Sequence, residues 1–170
     1  TFVSSVGKYV NRIEEQIANI TKSSGSVAVV NGTSALQVAL RLVGAESNTE
    51  VICQGLTFIA TANAISYNRA KPIFLDVDYD TMGLSAKAVE EFLIRHAELR
   101  EGKCFNKKTH KKIAACVPMH TFGFPVHMNE LKDVCKKWNI PIVEDAAESL
   151  GSTYQSTPCG SLGELGVFSF

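Results

Sequence analysis

Hydrophobic positions along the chain alternate between a helical period and short β-branched runs. Val10, Ile13, Ile17 and Ile20 stand three or four residues apart, the spacing of one face of an amphipathic helix. Val27 to Val30 is a β-branched run and predicts a short buried strand. Asn31-Gly32-Thr33-Ser34 then turns the chain into a helix with the stripe Leu36, Ala39, Leu40 and Val43, stopped at Gly44. The alternation continues: a strand over Val51 to Cys53, a helix over Thr57 to Tyr67, and a strand over Pro72 to Val77. Pro72 opens that strand, where its missing N–H does least harm. Ser85 caps a helix with the stripe Val89, Phe92, Leu93 and His96. Ile113 to Pro118 predicts a strand, Leu131, Val134, Cys135 and Trp138 a helix, Pro141 to Glu144 a strand, and Val167 to Phe170 the start of one more.

Strands alternating with helices predict an α/β fold with a mainly parallel sheet and helices on both faces. Ligands of such sheets bind beyond the C-terminal ends of the strands. Residues 101–112 (EGKCFNKKTHKK) interrupt the pattern as a basic, hairpin-like insertion, expected to be a solvated loop rather than a phosphate site.

Composition narrows the partners. The 170 residues are 45% hydrophobic and 20% charged, and 17 basic residues balance 17 acidic ones. Nucleic acid and anionic membranes call for a basic excess, so neither is the expected partner. No apolar run approaches the roughly 20 residues of a spanning helix. The five cysteines (Cys53, Cys104, Cys116, Cys135, Cys159) are odd in number, widely spaced and without a C-x-x-C pair. That usage points to a cytoplasmic protein and to neither a disulfide framework nor a metal site. The chain opens at Thr1 and stops in the apolar stretch GVFSF, so the expectation is a fragment of a longer protein.

Several residues at strand ends and helix starts could carry chemistry. Asn31-Gly32-Thr33-Ser34 follows a predicted strand and opens a helix. Free N–H groups, a glycine for close approach and two hydroxyls make a phosphate cradle there, or else a simple helix cap. Asp145, ending a strand, would place a carboxylate in the ligand crevice, where it could pair with a cationic ring nitrogen, a ribose or a metal; with Glu148 it also has the spacing of a capping box. Phe58 could stack on a flat ring or fill the core. Ser169 alternates with Phe168 and Phe170 in strand geometry. The stretch Gly160 to Gly166 reads as a loop. Together, a phosphate cradle, an aromatic plate and an acid suit a phosphorylated pyridine.

The segments GKYVNRIEEQIANIT, VNGTSALQVAL, LTFIATANAISY, KPIFLDVD, VPMHTFGFP, VEDAAESLGSTY and GSLGELGVFSF span nearly the whole chain. In that order they resemble the N-terminal part of the DegT-type sugar-nucleotide aminotransferases. The wording, including the NKKTHKK insertion, most resembles members that aminate UDP-linked 4-keto-6-deoxy sugars for surface glycans. The resemblance implies part of the large domain of a fold-type I enzyme that uses pyridoxal phosphate, with an amino donor such as glutamate and a homodimeric full-length form. It implies that Thr33, Ser34 and Ser169 contact the phosphate and that Phe58 stacks on the ring. Asp145 would hold the ring nitrogen protonated, and Glu148 would lie beside the ring hydroxyl. His120 is expected to be architectural. The family's Schiff-base lysine would fall four residues beyond Phe170, and the small C-terminal domain later still. No catalytic lysine is therefore expected within residues 1–170, and the chain alone is expected to be inactive. Two other readings stay open: a sugar dehydratase of the same family, with histidine at the lysine position, and a non-catalytic, monomeric nucleotide-binding module with a flavodoxin-like sheet.

Overall fold

The structure, a computed structural model, describes residues 7–170. Helix α1 (Lys8–Thr21) is followed by α2 (Gly32–Leu42), β1 (Thr49–Gln54), α3 (Ile59–Tyr67), β2 (Lys71–Leu75) and α4 (Ala86–His96). Next come β3 (Ala97–Arg100), β4 (Lys103–Asn106), β5 (Lys112–Val117), α5 (Met128–Lys137), β6 (Val143–Asp145), the short pair β7 (Thr153–Tyr154) and β8 (Thr157–Pro158), and β9 (Leu165–Val167).

The main sheet has the order β2-β1-β5-β4-β3, with β1 parallel to both β2 and β5. Strand β6 joins the far end of β5 through the parallel bridges Cys116–Ile142 and Met119–Asp145, and β9 runs parallel to β6. The expected parallel sheet is thus β2-β1-β5-β6-β9. The insertion adds antiparallel β3 and β4 at the near end of β5, which makes the sheet mixed.

Side chains alternate across the sheet, as a strand period of two requires. Ile52 packs in a core layer with Val89 and Leu93 of α4 and Leu131 and Val134 of α5. Val51 and Cys53 enter the opposite layer with Leu36 and Leu40 of α2 and Ile65 of α3. In β5 the consecutive residues Ala114 and Ala115 both join this second layer, while Ile113 and Cys116 join the first. The register slip beside Glu50 and Val51 absorbs that extra residue as a bulge. Each fully buried Leu, Ile or Val in these layers contributes roughly 1.5–3 kcal/mol. All five cysteines are buried free thiols, and burial pushes Cys53 and Cys104 up to about 12.

Two local expectations fail. Val27 to Val30 forms no strand, and Val27, Val29 and Val30 are exposed. Instead Glu14 of α1 holds this segment: its carboxylate accepts the Ala28 N–H at 2.8 Å and its carbonyl accepts the Ser26 hydroxyl at 2.6 Å. The last strand ends at Val167, so Phe168, Ser169 and Phe170 lie beyond it. The basic insertion is a hairpin as expected, although its first strand begins at Ala97.

Candidate active site

The C-terminal ends of β1, β5, β6 and β9 and the N-termini of α2 and α3 meet at one end of the sheet. At α2, Asn31 is the cap: its Oδ1 accepts the Ser34 N–H at 2.8 Å. Capping therefore uses the Ser34 N–H but neither the Thr33 nor the Ser34 hydroxyl. Both residues are half-buried, and neither hydroxyl has a hydrogen-bond partner among the described residues. The first N–H groups of α2 have no partner within the helix, and this end carries about half a positive charge.

Ser169 closes on the same turn from β9. A Cβ placed on Gly32 would lie 2.9 Å from Ser169 Cβ and 3.1 Å from its Oγ. Only glycine at position 32 permits that approach, and the result is a compact set of hydroxyls and N–H donors.

Asp145 ends β6 and pairs in register with Val167, two residues before Ser169. Its N–H donates to the Pro118 carbonyl, its carbonyl accepts from His120 N–H, and the following Ala146 N–H donates to Val167. The residue is 3% exposed. Oδ2 accepts the Thr61 hydroxyl at 2.6 Å, while Oδ1 has only a long 3.4 Å contact from Ala147 N–H. Burial raises its pKa above the ordinary carboxylate range, and the hydrogen bond from Thr61 opposes that rise. A buried carboxyl with one poorly served oxygen is suited to a cationic N–H.

Phe58 caps α3 just after β1 and is 70% exposed, which removes the core-aromatic alternative. Glu148 is exposed, and its Oε2 accepts the Phe122 N–H at 2.8 Å. It is therefore committed to the turn after β5 and forms no capping box with Asp145. Thr33, Ser34, Ser169, Asp145 and Phe58 thus sit around one end of the sheet, and Glu148 borders them through the Phe122 turn.

Three buried residues of this end were not singled out from sequence. Thr61 meets Asp145 across 84 positions in sequence. Glu144, fully buried, accepts from His120 Nε2 at 2.9 Å and from the N–H groups of Gly160, Leu162 and Gly163 at 2.8, 2.6 and 2.6 Å. It anchors the glycine-rich loop beneath β9, and fully buried His120 serves that anchor. Gln54, at the end of β1, accepts from Leu84 and Met119 N–H and donates to Leu56 and to Thr121 Oγ1. The alternation pattern marks polar strand-end residues only as strand ends; what each one binds is set by distant segments.

A phosphorylated pyridine fits on two structural counts. The Gly32–Ser169 approach builds an anion cradle, and the buried Asp145 carboxyl calls for a cation. An α/β sheet with these groups at its C-terminal end is the architecture of a fold-type I pyridoxal phosphate enzyme.

All of residues 1–170 match the DegT/DnrJ/EryC1/StrS aminotransferase family, and the chain belongs to it. It is 36% identical over 169 residues to EpsN of Bacillus subtilis (strain 168), assigned as a pyridoxal phosphate-dependent aminotransferase; the match covers 99% of this chain and 41% of EpsN. It is 34% identical over 170 residues to the GDP-perosamine synthase of Escherichia coli O157:H7, covering 100% of this chain and 42% of that protein. Among solved structures it resembles DesI, determined in the presence of its TDP-sugar product, with a TM-score of 0.81 and 30% identity over 97% of this chain and 38% of that one. The chain therefore spans about two fifths of the length of these relatives.

Proposed function

We propose that this chain is the cofactor-facing part of the large domain of a pyridoxal phosphate-dependent sugar aminotransferase. The observation that carries the reading is the meeting of a buried, cation-seeking carboxyl at Asp145 with the Gly32–Ser169 cradle at one end of the sheet. When bound, pyridoxal phosphate supplies an electron sink for the carbon next to the transferred nitrogen. Thr33, Ser34, Ser169 and the first N–H groups of α2 hold the phosphate. Phe58 packs its exposed ring against the pyridine plane. Asp145 accepts the hydrogen bond of the ring N–H and keeps the proton there. Glu148 borders the ring hydroxyl.

The substrate in this reading is a keto sugar on a nucleotide. Relatives whose names specify a GDP- or TDP-linked sugar support the nucleotide-sugar class. The finer assignment is a UDP-linked 4-keto-6-deoxy hexose with glutamate as donor, in a cytoplasmic homodimer made of full-length chains. A panel of UDP-, GDP- and TDP-linked keto sugars, assayed with the full-length protein, tests the nucleotide. In the same protein Asp145→Asn is expected to lower kcat by about 10²-fold or more with the circular dichroism unchanged. Unchanged turnover would refute the role of Asp145.

A further inference from the structure

The carboxyl of Asp145 is the last member of a chain of short contacts. Thr61 Oγ1 lies 2.6 Å from Asp145 Oδ2, Thr57 Oγ1 lies 2.7 Å from Thr61 Oγ1, and Met119 Sδ lies 3.2 Å from Thr57 Oγ1. Thr61 is fully buried. Each hydroxyl has one hydrogen to give. An ionised carboxylate only accepts, so the order is then Thr57 to Thr61 to Asp145, and both hydrogens land on oxygen. A proton on Oδ2 reverses the order, and the acceptor then within reach of the last hydrogen among the described residues is the Met119 thioether, a weak one. The two orders are unequal, and the ionised one is better served, because linked hydrogen bonds polarise one another.

We propose that Thr61, backed by Thr57, is a positioning residue that holds the Asp145 carboxyl as an acceptor aimed at the pyridine N–H. The proposal rests on the reading of the site given above. Asp145 is also acted on by His120, from the turn after β5, and by Glu148, after β6. The first turn of α2 and the whole of α3 carry no charge.

The test uses the full-length protein and the variants Thr61→Val, Thr61→Ser and Thr57→Val, with two readouts. The first is the infrared carboxyl band of Asp145, identified by its loss in Asp145→Asn and titrated without cofactor. The expected midpoint rises by about one pH unit or more in Thr61→Val and by less in Thr57→Val, and Thr61→Ser restores it. The second is pyridoxal phosphate binding followed by absorbance, with Kd raised roughly tenfold in Thr61→Val and recovered in Thr61→Ser. Should Thr61→Val fail to fold, Thr57→Val still carries the test, since it does not touch Asp145. Coincident midpoints in all variants overturn the proposal while leaving the cofactor site intact. A wild-type protein that binds no pyridoxal phosphate overturns the site reading instead, and the infrared order then still reports on Thr61.

Discussion

At the scale of single residues, Asp145 shows how burial makes a group functional. Its carboxyl was legible in the sequence as a strand-end acid, because β-strand periodicity places it at the sheet's C-terminal rim. Its partner Thr61 was not, since nothing local pairs residues separated by 84 positions. Burial without a cation also has a measurable cost. The native pKa lies above the unfolded value near 3.8, so the folded protein holds this proton more tightly than the unfolded chain does. That contribution to stability is complete below the unfolded value and is lost as pH rises through the native one. Asparagine at 145 cannot titrate. Urea unfolding of the cofactor-free protein and of Asp145→Asn at stepped pH should therefore diverge: the variant gains relative to its parent as pH rises through this window, and other carboxylates cancel in the difference. Parallel profiles would mean that Asp145 is not buried as described.

At the scale of elements, most helices and strands follow from hydrophobic period alone, and the misses have physical causes. Val27 to Val30 has the β-branched composition of a strand, but a strand needs a ladder partner. Glu14 satisfies Ser26 and Ala28 instead, and the valines face outward. The glycine-rich stretch read as a loop for want of side chains; its density comes from backbone contact, since a Cβ on Gly163 would lie 2.7 Å from the Ile142 carbonyl. The apolar stripe places helix α2, and in the sequence Thr33 and Ser34 are the residues that offer a simple cap. The structure assigns it to Asn31, and a separation of roles follows. Asn31→Ala should lower the unfolding free energy by about 1 kcal/mol through loss of the cap. Thr33→Ala or Ser34→Ala, which remove hydroxyls not used in capping, should leave thermal stability nearly unchanged and weaken phosphate binding. Denaturant melts of the three variants, with and without inorganic phosphate, decide it. Equal destabilisation in all three would show that the hydroxyls are structural.

At the scale of the whole molecule, two core layers flank the sheet, and a number of large apolar side chains stay exposed outside them. Of the fourteen residues of α1 only Thr21 is buried, and Tyr9, Ile13 and Ile20 on that helix are exposed. A helix of that length is marginal in water without packing. Val30, Leu42, Ile59 and Tyr67 are exposed as well, with Val30 at 86% and Leu42 at 72% exposure. Monomeric soluble proteins scatter such residues singly, and contiguous apolar surface marks contact with something else. The 170-residue chain on its own should accordingly bind an apolar dye such as ANS and self-associate as its concentration rises. Its α1 amides should exchange far faster than those of β1 and β5, which lie between the two core layers. Light scattering, dye titration and native-state hydrogen exchange measure the three effects independently. A flavodoxin-like nucleotide-binding module would behave in the opposite way, as a dye-silent monomer with a protected first helix, and that result would count against the large-domain reading at the level of the entire chain.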